Sequence, residues 1–564
     1  MHIASHLNNI GFKTKYIMAD EAIYQLSMGS GAPEETPFLK KEIIYILDQN
    51  QGSYSGNQVN FDTSTISNSG KWASYKEAYF TIPVVMSFRS SIDSSVANRN
   101  PSPFSVIMKN GFWQLIDSLQ VDYNGVNVVQ QTPNLNVWAS FNVVSTWSDN
   151  EMVKYGPSLG FWKDTATSWT YSAAVGLNGH GFANNRVNQV QAAFISASYV
   201  GSSFNEGLIR RGSAGGYTRF LTVGPTAIVA AGLGQSSFIQ IDDPPGVPGV
   251  GTVWYWSFIA KIRLKDICPF FNELPLVKGA FFRMTLNVNT SSMTLTTVSA
   301  TSMSLTTISN GGRTCPLIVS SAGANQPNAA PLATADAVWT VALVIGSSTP
   351  TQAFTGCRLY CPLYQMDPTY EEQYMQMHPQ LTVAYKDLYN YVIPAQTTGN
   401  QINALLTNGI TNPKRLIVVP VANSTSNGGV GFSEQQSCFS TVPATTSALA
   451  AIQNFQVQLA GMNVFQNQQQ YDFDVFMSEL SKTGINGGQV SEITSGLLSE
   501  QDFEYAYRYY ICDLARRLPS DDAYPKSVQI IGTNVSGLTL DLICFIEYER
   551  VLQIRTSDGS LISD

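Results

Sequence analysis

The segment Ile116–Gln130, IDSLQVDYNGVNVVQ, has a near copy in Ile452–Gln466, IQNFQVQLAGMNVFQ. The copies lie 336 residues apart (452 − 116), and seven of the fifteen aligned positions are identical: Ile116/Ile452, Gln120/Gln456, Val121/Val457, Gly125/Gly461, Asn127/Asn463, Val128/Val464 and Gln130/Gln466. In the first copy Leu119, Val121 and Tyr123 alternate with Gln120 and Asp122. In the second, Phe455, Val457 and Leu459 alternate with Gln456 and Gln458. This is the two-residue period of a strand with one buried face. Each copy then meets a two-residue turn. Asn124-Gly125 is a strong hairpin signal because both residues tolerate positive φ, and Ala460-Gly461 is a weaker version of it.

The duplication continues at the same offset. Asn134 to Ser145 and Gln470 to Ser481 both change to helical spacing, with Val137, Phe141 and Val144 on one face of the first. Phe473, Phe476, Met477 and Leu480 follow the i, i+3, i+4, i+7 rule in the second. A repeated strand, turn, strand, helix unit implies two similar domains in one chain.

Composition agrees with this division. A chain of 564 residues exceeds what one hydrophobic core usually serves, and 44% hydrophobic residues are ample for two. Only 13% of residues are charged, so Asn, Gln, Ser and Thr supply most of the surface polarity, and such groups are cheaper to desolvate against other protein than ions are. A net charge of −8 argues against a chain whose task is gripping nucleic acid, which needs clustered Lys and Arg. No apolar run reaches the length of a membrane span, so no transmembrane segment is expected.

The start, MHIASHLNNIGFKTKYI, lacks a continuous apolar core, so no secretory signal is expected. Met18 reads as a second start, which leaves the first seventeen residues as an extension, a processed arm or a short amphipathic segment. Seven cysteines, Cys268, Cys315, Cys357, Cys361, Cys438, Cys512 and Cys544, are odd in number and irregular in spacing. Packed, reduced thiols are expected, with no structural metal. The sequons at Asn289, Asn423 and Asn534 carry no meaning without secretion.

Along the chain, Glu42 to Leu47, Gln58 to Asp62 and Tyr75 to Ser90 read as strands. Residues 155–250 turn to Gly, Ser, Ala and Asn and end in DDPPGVPGVG, a block without an equal in the second half. It is expected to be a long loop insertion at one end of the first domain, leaning on its parent or on a neighbouring molecule. Strands resume with VWYWSFIAKIRLKDICP and GAFFRMTLNVN, matched in the second half to FEYAYRYYICDLARRLP and GLTLDLICFIEYERVLQI. Ser/Thr/Gly-rich sequence over 291–335 reads as a linker. The expected organisation is an arm over 1–40, a first domain over 41–296 containing the insertion, and a second over 297–564.

No catalytic signature emerges. Gly70-Lys71 lacks the other residues of a P-loop, Gly249-Val250-Gly251 sits in a Pro-rich turn, and neither G-x-S-x-G nor HExxH occurs. His2, His6, His180 and His378 are scattered, and Cys357-X3-Cys361 is the closest approach to a ligand pair. Asp242-Asp243, Glu371-Glu372 and Asp521-Asp522 read as turn acids rather than a hydrolase pair. Arg516-Arg517 reads as a strand-end ion pair, and Tyr505, Tyr507 and Tyr509 as the buried face of a strand. No catalytic, cofactor-binding or metal site residue is assigned, and no cofactor is expected.

Many short strands, Gly/Pro/Asn turns and few helices indicate an all-β sandwich or barrel. The run YRYYICDLARRLPSDDAYPKSVQIIGTNVSGLTLDLICFIEYER, with KWASYKEAYFTIPVV and DICPFFNELPLVKGAFFRMTLNVN, resembles the major capsid proteins of polinton-like viruses and virophages. The resemblance covers most of residues 40–555 and rests on structural strands. It implies two tandem eight-stranded jelly rolls, a double jelly roll with short helices. It also implies a non-enzymatic chain that forms a homotrimer, a pseudo-hexameric capsomer, in an icosahedral virion assembled inside the host cell. The implied partners are neighbouring capsomers, a vertex (penton) protein and minor capsid proteins, with no sequence-specific contact to nucleic acid. The rival reading is a secreted β-sandwich glycan-binding protein or glycoside hydrolase.

Overall fold

A computed structural model describes residues 37–50, 52, 54, 57–90, 104–163, 194–195, 238–241, 253–299, 302–321, 338–346, 356–423, 450–484, 494–505, 507–515 and 524–563. The arm over 1–36, most of the 155–250 insertion, Arg516-Arg517, Asp242-Asp243, Asp521-Asp522 and Cys438 lie outside them.

Two sandwiches follow one another, built from strands in the same order. The first uses β1 (Phe38–Leu47), β2 (Gln58–Asp62), β3 (Tyr79–Ser90), β4 (Ile116–Tyr123), β5 (Val126–Val129), β6 (Val253–Arg263), β7 (Phe282–Val288) and β8 (Arg358–Met366). Pairing gives one sheet in the order β1-β8-β3-β6 and a facing sheet in the order β2-β7-β4-β5. The second uses β9 (Gln380–Gln396), β10 (Gln401–Ile410), β11 (Pro413–Ala422), β12 (Ile452–Leu459), β13 (Met462–Asn463), β14 (Tyr510–Asp513), β15 (Lys526–Asn534) and β16 (Leu540–Arg555). Its sheets run β9-β16-β11-β14 and β10-β15-β12-β13. Each strand of the second set thus occupies the place of its counterpart eight labels earlier, and all pairs are antiparallel. This is the double jelly roll.

Alternation fills each interior. Phe61 on β2 stacks on Phe80 of the opposite sheet, 5.0 Å between ring centres, and Phe455 on β12 meets Tyr510 of β14 at 5.4 Å. The repeated unit forms β4-β5 and β12-β13, followed by α1 (Leu135–Thr146) and α2 (Phe473–Gly484). Val137, Phe141, Val144, Phe476 and Leu480 are buried, as the helical spacing requires.

The pairing divides the chain elsewhere than at 296/297. Strand β8, residues 358–366, belongs to the first sandwich, and the second begins at Gln380. The Ser/Thr-rich stretch expected as a linker forms a hairpin, Ser291–Ser299 with Ser302–Asn310, which joins Val338–Ile345 on the first sheet. The cause is a second insertion. Residues 289–357 separate β7 from β8, whereas only 535–539 separate β15 from β16. By period the segment 540–555 resembles β7, but in the sheet it takes the place of β8. Two further readings change: residues 500–505 are helical, so Tyr505 is not on a strand, and Glu371-Glu372 lie in the helix Pro368–Met377 rather than in a turn.

Both repeat turns adopt the geometry that the first one's sequence favours. Asn124 and Gly125 have φ of 49° and 87°, and Ala460 and Gly461 have 52° and 78°. An L-residue other than Asn, Asp or Gly costs about 1–2 kcal/mol in this region. Ala460→Asn is therefore expected to raise the stability of the second sandwich by about 0.5–1 kcal/mol, read as a higher midpoint in urea unfolding followed by circular dichroism.

Candidate functional site

The two sandwiches meet where α1 lies on the outer face of the β9-β16-β11-β14 sheet. Tyr510, which pairs with Val418, points inward to Phe455, so the alternate positions Arg415 and Ile417 on β11 face outward. Arg415 pairs across the ladder with Glu547 on β16, and Glu547 pairs with Leu388 on β9. These outward groups are buried by the first sandwich.

Glu547 is 1% exposed and carries a closed set of partners. Arg415 Nε donates to its Oε2 at 3.0 Å, and Arg415 Nη2 donates to Oε1 at 2.5 Å. Trp138 Nε1 of α1 donates to Oε1 at 3.0 Å, while Lys386 Nζ stands 3.8 Å from Oε2. Burial works against its charge, but Arg415, Lys386 and the Trp138 bond outweigh burial and hold the carboxyl below its ordinary value. Phe141 of α1 covers the Arg415 guanidinium at 5.5 Å and meets the Tyr509 ring edge-on at 5.1 Å.

A second row of contacts ties the edge strand β9 to the first sandwich. Tyr385 Oη donates to Val128 O at 2.6 Å, and the same ring packs on Phe270 at 4.9 Å. Thr132 Oγ1 donates to Leu388 O at 2.9 Å. Arg550 donates to Val128 O at 3.1 Å and approaches Asp387 Oδ2 at 3.4 Å. Asp387 also accepts from Tyr548 Oη at 3.0 Å, yet burial outweighs these partners and pushes its carboxyl above the ordinary value. At the far end Gly279 and Gly559 pass backbone to backbone, where an added Cβ on either would fall 2.4 Å from the opposing carbonyl oxygen.

Beside α1 the interface opens into a cleft of about 510 Å³, lined among others by Arg263, Lys265, Asp266, Lys386, Lys414, Glu547 and Glu549. Two of its ion pairs close on themselves: Arg263 bonds Asp266 through Nε at 2.6 Å, and Lys414 bonds Glu549 at 2.7 Å. It has the character of a solvated seam, with several of its ions engaged by one another.

The groups singled out from sequence are dispersed. Cys357 and Cys361 are buried, and burial pushes the Cys357 thiol up to about 12. Among the described residues no cluster of three metal-binding side chains occurs. Glu371 is held by Trp72 Nε1 at 3.1 Å and Lys278 Nζ at 2.6 Å, whereas Glu372 accepts from Gln376 Nε2 at 3.3 Å. His378 packs on Tyr374 at 5.1 Å. Tyr507 and Tyr509 are buried beside β14. The sequence reading missed the Arg415–Glu547–Trp138 set. Its one available signal was an Arg and a Glu bordering runs apolar on both faces, LIVVPVA after Arg415 and LICFI before Glu547.

The corresponding face of the first sandwich is open among the described residues. Phe80 points inward to Phe61, so Tyr79 faces outward, and it stacks on its ladder partner Tyr360 at 5.0 Å. Tyr45 meets Tyr360 at 5.6 Å, with Arg358 over Tyr45 at 4.8 Å and Lys261 over Tyr79 at 4.2 Å. Ile43, Tyr45 and Leu47 on β1 and Ile259 on β6 are more than half exposed.

Replacing Glu547 with Ala leaves Arg415 buried without its carboxylate. The expected cost is about 3–5 kcal/mol, whereas the paired change Arg415→Met with Glu547→Leu costs far less. Because the folded carboxyl is held below 4.5, its stabilisation is complete above that pH and is lost as pH falls through the lower folded value. Glu547→Gln should therefore flatten the fall in melting temperature below about pH 4.5, read by scanning fluorimetry.

No family model and no curated protein matches this sequence. Solved structures do. A chain from the 3.5 Å structure of the Sputnik virophage is 12% identical with a TM-score of 0.50, covering 97% of this chain and 93% of that one. The mavirus major capsid protein is 10% identical with a TM-score of 0.46, covering 98% and 94%. The Faustovirus major capsid protein is 10% identical with a TM-score of 0.42, covering 97% and 96%. The agreement with the Sputnik chain runs through both sandwiches, so that the two chains share one fold, here a double jelly roll.

Proposed function

We propose that this chain is the major capsid protein of an icosahedral virus, a structural and non-enzymatic subunit located in the virion. The observation that carries this reading is the duplicated sandwich: two jelly rolls of one strand order, locked by a buried polar and aromatic interface. The likeness to a chain of the Sputnik particle supports it. A single jelly roll would suffice for a binding module. Two joined in series supply two of the six positions around a ring, so three chains make a capsomer of near-sixfold outline, the shape that tiles a closed shell.

In this reading the homotrimer is the stable unit, and it meets neighbouring capsomers, a vertex protein and minor capsid proteins through smaller contacts. The domain division is then an arm, a first jelly roll ending at β8 and a second beginning at β9. The segment between α1 and β6 enters at one end of the first jelly roll, where its described strands, Phe194–Ile195 and Phe238–Ile241, pair with the hairpin strand 302–310 and with β6. That end is the outer surface of the shell in this assignment.

Native mass spectrometry of recombinant protein is expected to show a species of three times 61.5 kDa. A chain that stays monomeric and folded at every salt and pH tried would support the rival, a secreted sandwich acting on glycans.

A further inference from the structure

We propose that the open outer face of β1-β8-β3-β6 is the seat for α2 of a second copy of this chain. The contact would repeat between chains the packing of α1 on β9-β16-β11-β14 within one. It rests on the capsomer reading and assigns the surfaces that would build it.

The repeat fixes the correspondence residue by residue. Tyr79 has the ladder partners Tyr360 and Arg263, and Tyr360 has Tyr45; Arg415 has Glu547 and Asp513, and Glu547 has Leu388. Tyr79 and Arg415 are 336 residues apart (415 − 79), the offset already found for the duplicated hairpin and helix. The open tyrosine ladder is thus the positional equivalent of the buried ion pair, with Tyr360 in the place of Glu547. On the helices, the same offset puts Asp474 where Trp138 stands and Met477 where Phe141 stands.

The two open surfaces suit each other. Ile43, Tyr45, Leu47 and Ile259 are 58%, 53%, 57% and 65% exposed, a concentration of apolar side chains that solvated monomers rarely leave uncovered. The cations over this face, Arg358 and Lys261, lie where the negative Asp474 would arrive. Met477 would come down on the Tyr79 ring, a sulfur–aromatic contact in place of the guanidinium–aromatic contact Arg415–Phe141. Asp474 and Ser478 are exposed and Met477 only partly buried, so this side of α2 is itself available. Because the donor and acceptor surfaces differ, the contact is head-to-tail and closes a ring rather than a twofold dimer.

The test combines charge insertion with proximity mapping. Ile43→Asp and Ile259→Asp are each expected to reduce trimer at least tenfold in native mass spectrometry without changing the far-ultraviolet circular dichroism. Met462→Asp, 71% exposed on β13 away from this face, should leave trimer unchanged. Separately, Ile259→Cys is coupled to a diazirine maleimide, and the labelled chain is assembled with isotopically heavy chain before photolysis. The expected product links residue 259 of one copy to residues 473–484 of another. Intact trimers with both Asp variants, or a link to residues 1–36 of the same chain, would overturn the assignment of this face while leaving the trimer itself established. A wild-type chain that never trimerises overturns the capsomer reading instead.

Discussion

An ionised carboxylate buried between two domains is tolerable only if its neighbours replace the water it has lost, and Glu547 meets that condition with groups from both sandwiches. Arg415 comes from its own sheet, Trp138 from the opposing helix. If either sandwich moved away, Glu547 and Arg415 would be reopened to water and Trp138 would lose its acceptor, while Phe141 and Tyr509 would lose each other. Polar and apolar terms are therefore lost together, which makes the two jelly rolls one mechanical unit rather than beads on a linker. The close backbone passage at Gly279 and Gly559 has the same consequence at the other end of the seam, since no side chain larger than hydrogen fits there.

In the proposed contact between copies, the equivalent face of the first sandwich answers a different physical problem with different residues. A surface sealed within one chain can carry a matched ion pair, because it is buried once, during folding. A surface that must stay in water before meeting a partner needs groups tolerant of both states. Tyrosine rings with Arg358 and Lys261 over them are such groups: amphipathic, well solvated when open, and rich in contact area when covered. The edge strand β1 also carries Lys40 and Lys41, engaged with Glu42 and Glu77, which blunts the edge against indiscriminate strand pairing.

Much of this architecture was legible in the chain. The duplicated hairpin Ile116–Gln130 and Ile452–Gln466 became β4-β5 and β12-β13 in matching positions of matching sheets, because register and turn are local properties. Asn124-Gly125 announced its turn directly, whereas Ala460 is driven to positive φ by the strands that flank it. The domain boundary was not legible. Period alone cannot distinguish β7 from β8 when 289–357 intervene in one half and only 535–539 in the other. Phe503 and Tyr505 carry the alternation of the strand that follows yet lie in the helix Glu500–Tyr505, with its first-turn acids Glu500 and Asp502 and the Ser499 hydroxyl accepting from Asp502 N. The interface set was invisible for a plainer reason: Trp138, Arg415 and Glu547 are brought together only by tertiary packing across 409 residues.

The placement of the insertions shows how such a unit grows without losing its interface. Strand β3 is long, and its two ends have separate duties. Residues Tyr79–Thr81 pair with β8, close to the end of β6 where Arg263 meets Trp147 just after α1. Residues Val84–Ser90 pair instead with Val338–Ile345, which carries the hairpin 291–310, and the start of β6 pairs with Phe238–Ile241. Both long additions to the first sandwich thus extend its sheet from one end, away from the helix that grips the second. Strand pairing along an existing edge supplies hydrogen bonds for the new segments at no cost to the core. Length can then vary greatly at that end while the Arg415–Glu547–Trp138 seam, where loss of one partner leaves a buried charge, stays fixed.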